Sequence, residues 1–107
     1  MAQVNHGASA QPLSELAASL TALAASIQER RPAPVLMELL ATTQRVCTRA
    51  ADEERSTELK QLLSGNVGTA LQTWRDVWPR LGSQAEFRTA VAREARLWAT
   101  RLSVNQR

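Results

Sequence analysis

Leu13, Leu16, Leu20, Leu23 and Ile27 recur at intervals of three, four, three and four residues. This alternation constrains the fold more than any other feature of the chain, because it is the repeat of an α-helix that buries one narrow stripe. A half-buried strand would need apolar residues at every second position, and this segment has no such alternation. The stripe covers about two heptads, too short for a free-standing coiled coil, so it must pack on something. Two targets are open on sequence alone: the rest of the same chain, or a second copy or partner helix. Leu13, Leu16, Leu20, Leu23 and Ile27 are therefore the candidate self-association residues.

The flanking residues set the limits of this helix. Residues 1–12 are small and polar without a periodic apolar face, and read as a flexible tail. The helix is expected over about 13–30, because Arg31-Pro32-Ala33-Pro34 pushes the chain out of helical geometry and forms a Pro-containing hinge at 31–34. Pro34 suits the first turn of a second helix, whose face of Val35, Leu36, Leu39, Leu40, Thr43, Val46, Cys47 and Ala50 runs to about Ala51. Polar residues 52–57 mark a break. Leu59, Leu62 and Leu63 define a short third helix that is expected to stop at Ser64-Gly65-Asn66, glycine being the usual residue where a helix end requires positive φ.

A fourth helix, about 67–78, gathers Val67, Ala70, Leu71, Trp74, Val77 and Trp78, with Pro79 as its expected end. Ser83 and Glu86 have the spacing of a capping box. They open a last helix with an apolar stripe of Phe87, Val91, Ala95, Trp98 and Leu102 that ends near Ser103. The expected fold is all-α, a four- to five-helix antiparallel bundle or helical-hairpin stack forming a single domain over 13–107.

Composition narrows the function classes. A chain of 107 residues has room for one core, and with 44% hydrophobic and 21% charged residues it belongs with folded rather than disordered proteins. Net charge is +3, and residues 83–107 carry all of it, with Arg88, Arg93, Arg96, Arg101 and Arg107 against Glu86 and Glu94. An acidic partner is expected to meet that end. The single cysteine, Cys47, excludes an internal disulfide and fits a reducing, cytoplasmic address. The apolar stretch at 16–27 has no basic residue before it, the first being Arg30, so no secretory signal is expected. No apolar run approaches the roughly 20 residues of a membrane span.

Catalysis is disfavoured by inventory. His6, the only histidine, lies in the expected tail, where nothing would tune it or hold it near a substrate. Cys47 shares an apolar face with Val46 and Leu40 and reads as an inert core thiol. Asp52, Glu53 and Glu54 lack a further ligand at metal-binding spacing, and no phosphate loop, nucleophile elbow or zinc spacing occurs. No enzyme activity, cofactor or metal is therefore expected. Trp74, Trp78 and Trp98 read as core, since each buries roughly 150–250 Å².

The last helix offers a different chemistry. Arg88, Arg93, Arg96 and Arg101 present planar guanidinium groups suited to carboxylate or phosphate oxygens. The leading expectation is a non-enzymatic helical interaction module, an adaptor or assembly subunit, acting through the leucine seam and this basic helix on another protein or a second copy. Residues 57–78 (TELKQLLSGNVGTALQTWRDVW), about a fifth of the chain, resemble a helix-turn-helix in outline. That resemblance implies a nucleic-acid-binding regulator as the alternative, with Thr69, Gln72, Thr73 and Arg75 as residues able to read base edges or phosphates.

Overall fold

The leucine seam finds its packing partner inside the chain. A computed structural model describes the backbone of residues 2–105 and the side chains of residues 11–104. Its helices are α1 Ala2–Gln28, α2 Ala33–Glu53, α3 Thr57–Gln61, α4 Gly68–Leu81 and α5 Ala85–Asn105, with a π-helical segment, Leu62–Val67, joining α3 to α4. The described residues include no strand, so the all-α expectation holds. None of the described helices is long and apolar enough to cross a membrane.

α1 lies between α5 and α2, while α4 and the π-helical segment pack on α2. Leu16, Leu20 and Leu23 are fully buried, and Leu13 and Ile27 nearly so. They share one buried core with the small residues Ala92, Ala95 and Ala99 of α5 and the larger Leu36 and Leu40 of α2, the two helices that α1 contacts. Each leucine buried in this way contributes roughly 1.5–3 kcal/mol. The seam expected to be available for self-association is thus consumed by the intramolecular core.

The end of α1 is closed by a Schellman arrangement. The Arg30 amide donates to the Ile27 carbonyl at 3.1 Å, and the Arg31 amide donates to that of Ser26 at 3.1 Å. Arg30 itself holds φ 58°, the left-handed position normally given to glycine. Pro32 is extended and serves as the N-cap of α2, so the proline segment forms a tight connection between two long helices.

Four local expectations need correction. α1 starts at Ala2, not near Leu13, and passes through Pro12, whose ring is buried. One hydrogen bond to Ala8 is forfeited there, and burial of the ring offsets part of that loss. Pro79 does not end α4, which continues to Leu81. The carbonyl deprived of its partner belongs to exposed Arg75, where water can serve.

Gly65 does not form a turn. The chain stays helical through Leu62–Val67, and no glycine among the described residues takes positive φ. Leu63 and Val67 are both buried, and a turn between them would remove one from the core. Finally, Ser83 lies outside α5, whose first residue is Ala85, so the capping box does not form. Gln84 occupies the capping position instead, its amide donating to Leu81 and its carbonyl accepting from Arg88. The break after Glu53 occurs as expected, and Ser56 caps α3 by accepting the Leu59 amide at 3.3 Å.

Gly82 has an unusual reason to be glycine. Its φ of −63° suits any residue, but a Cβ there would run into the indole ring of Trp78 at Nε1. The glycine is needed for the approach of Trp78, while the left-handed position is held by Arg30. Arg30→Gly should therefore stabilise the fold by about 1 kcal/mol, and Gly82→Ala should destabilise it by about 1–3 kcal/mol. Urea unfolding followed by circular dichroism measures both.

Candidate functional site

The sequence groups the arginines of α5 together, and the structure divides them. Arg88 is half-buried, donating from Nη2 to the Ile27 carbonyl at 2.7 Å and from Nη1 to the Gly82 carbonyl at 3.3 Å. These carbonyls lie at the ends of α1 and α4, so one guanidinium charge complements the negative poles of two helices. Arg96 donates to the Gln28 side-chain oxygen and also ties α5 to α1. Arg88 thus joins three helix ends, while the Arg96 contact is made between two exposed side chains.

Arg93 and Arg101 have a different setting. Both are exposed, and Arg101 lies over the Trp98 ring, 5.1 Å from its centroid. Such a cation over an indole face is held by the ring quadrupole. On the same helix, Leu97 and Val104 are 58% and 59% exposed. At about 100° per residue, Arg93, Leu97, Arg101 and Val104 fall within roughly 80° of one another on the outer face. Ion pairs among the described residues involve Arg31, Arg45 and Arg49, not these arginines. Sequence reasoning missed Leu97 and Val104, whose signal is a seven-residue spacing opposite the buried Val91 and Leu102.

The polar face of α4 is arranged differently from what the helix-turn-helix resemblance implies. Residues 57–81 are helical throughout, so the turn is absent. Thr69, Gln72, Thr73 and Arg75 are exposed, but two of them are engaged with α2. Arg75 donates to the Gln44 side-chain oxygen at 3.0 Å, Gln44 donates to Gln72, and Gln72 donates to Asp76 at 2.8 Å.

The adjoining groove between α2 and α4 is lined by Arg45, Arg49, Arg75 and Asp52. Glu38 lies 3.9 Å from Arg45, while Glu15 and Glu53 pair with Arg49. Three guanidinium groups thus face four carboxylates, a balance that gives a phosphate backbone no net attraction.

Cys47 is where its sequence pattern puts it, 2% exposed beside fully buried Leu40. Its thiol donates to the Leu63 carbonyl at 3.3 Å, and that same carbonyl accepts the Gly68 amide that closes the π-helical segment. A Cβ at Gly68 would approach the Leu63 oxygen to 3.1 Å, so the site favours glycine. Burial pushes the thiol from its ordinary 9.0 up to about 11. No cluster of three or more His, Cys, Asp or Glu able to hold a metal occurs among the described residues. The His6 side chain lies outside them.

Comparison with protein-family models, curated proteins and solved structures yields no significant match to this chain. The placements of Cys47 and of the α5 arginines can be checked directly. Cys47 should react with a thiol reagent at pH 8 only after denaturant is added. Its raised value means that the folded chain keeps a proton the unfolded chain loses, so this stabilisation is full below pH 9 and is lost as pH rises to about 11. Cys47→Ser should remove that alkaline loss in pH-dependent unfolding. Arg88→Gln should cost about 1–3 kcal/mol through the loss of two charge-assisted hydrogen bonds, although the Ile27 carbonyl keeps the Arg30 amide, whereas Arg93→Gln should change stability by less than about 0.5 kcal/mol; thermal melts of the two variants distinguish them.

Proposed function

We propose that the chain is a non-enzymatic interaction module, an antiparallel helical bundle acting as an adaptor or assembly subunit that binds an acidic protein surface through the outer face of α5. The observation that carries this reading is the alternation of exposed Leu97 and Val104 with Arg93 and Arg101. Apolar groups rimmed by charge are what a partner buries first, because desolvating the leucine and valine supplies affinity while the arginines select for carboxylates. Arg101, stacked on Trp98, is already ordered and loses little freedom on binding. Of the other arginines that the sequence counts among the partner-binding residues, Arg88 contributes by fixing α5 in place, and exposed Arg96 lies on the flank of the face against Gln28.

Affinity capture from the native host tests this reading, with wild type compared against Leu97→Asp/Val104→Asp and against Arg93→Gln/Arg101→Gln. Both variants should melt like wild type, since the four side chains are exposed, and both should lose the captured protein. Retention of that protein by the two variants overturns the α5 assignment. A nuclease-sensitive, salt-dependent capture product would favour the nucleic-acid alternative through Thr69, Gln72, Thr73 and Arg75 instead.

A further inference from the structure

Where α2 begins, α4 ends and α5 begins, the helix ends leave a cleft of about 500 Å³ between them. Pro34, Leu36 and Met37 of α2 form one apolar wall, and Trp78 and Pro79 of α4 contribute the other. Arg31 and Arg88 also line the cleft, and no carboxylate among the described residues does. Ligand sites commonly span roughly 300–1,000 Å³, with mostly apolar walls and a few placed polar groups.

The two arginines differ in availability. Arg88 is committed to the Ile27 and Gly82 carbonyls, so its charge chiefly offsets the ends of α1 and α4. Arg31 is more than half exposed and pairs with equally exposed Glu29 at 3.2 Å, a kind of contact that contributes little and yields to a better-placed anion. Beside Arg31, Ala33 and Pro34 bring the positive end of α2 to the cleft, and the first turn of α2 holds no acidic residue. Met37, half-buried and unbranched, can repack around an inserted alkyl or aryl group.

We propose that this cleft binds a small amphiphile, its aliphatic or aromatic body lying against Pro34, Met37 and Pro79 and its carboxylate held by Arg31. The site is separate from the α5 face, and its occupancy does not depend on the protein partner proposed there. Decanoate and decanol, which share an alkyl chain and differ in charge, are the probes, titrated into the full chain and followed by amide chemical shifts.

Decanoate should bind one-to-one, with shifts centred on Met37, Trp78 and Ser83 and none on the outer face of α5. Arg31→Gln, at an exposed position, should weaken decanoate about threefold to fivefold and leave decanol unchanged. Met37→Trp, which fills the cleft, should abolish both; if it fails to fold by circular dichroism, Ser83→Trp at the exposed rim replaces it. The proposal is overturned by absence of saturable decanoate binding up to about 1 mM, by shifts lying outside the cleft, or by an Arg31→Gln variant that binds decanoate as wild type does.

Discussion

Burial of Leu16, Leu20 and Leu23 between α5 and α2 is the interaction on which the rest of the structure depends. A leucine stripe of about two heptads is too short for a free-standing coiled coil and must pack on something, and no other element contacts both of its neighbours so extensively. Once α1 is fixed, the alanines of α5 and the larger residues of α2 fall on its two sides. α4 then covers the far side of α2, where Leu71, Trp74 and Trp78 enter the core. The strongest apolar feature of the chain is thereby spent on folding, and recognition is left to weaker features on the surface.

The helix ends are joined by polar contacts that local rules do not anticipate. Arg88 spans the C-terminal ends of α1 and α4, meeting a carbonyl of each, and so couples the start of α5 to elements far away in sequence. The Ile27 carbonyl accepts both the Arg30 amide and the Arg88 guanidinium. On α2, Cys47 and the Leu63 carbonyl anchor the π-helical segment in a comparable way. One turn earlier on α2 stands Thr43, whose buried side-chain oxygen has no hydrogen-bond partner among the described residues.

Apolar periodicity makes the helices and most of the core legible, because the 3.6-residue repeat reports burial directly. The seam, the Cys47 environment and the break before Ser56 are all readable on that basis. Breaker residues are less reliable guides. Pro12 and Pro79 lie inside helices and Gly65 inside a helical segment, since tertiary burial of neighbours such as Leu63 and Val67 outweighs local preference. The roles of the arginines are not readable at all. Arg88 and Arg93 look alike in sequence, and only the packed arrangement of α1 and α4 separates a residue that joins helix ends from one that faces outward. Leu97 and Val104 escape notice because an apolar residue outside the main stripe has meaning only once the buried side of α5 is known.

With the α1 seam in the core of a single chain, recognition falls to other surfaces. Sedimentation and thermal melting of a Leu20→Asp/Leu23→Asp variant test that placement most directly. Two carboxylates forced into a dry helix interface carry a desolvation penalty with no compensating partner, so the variant should lose its cooperative helical melt. A variant that instead remains folded and melts cooperatively, as a monomer derived from a self-associated wild type, would contradict the intramolecular placement and return the seam to the surface.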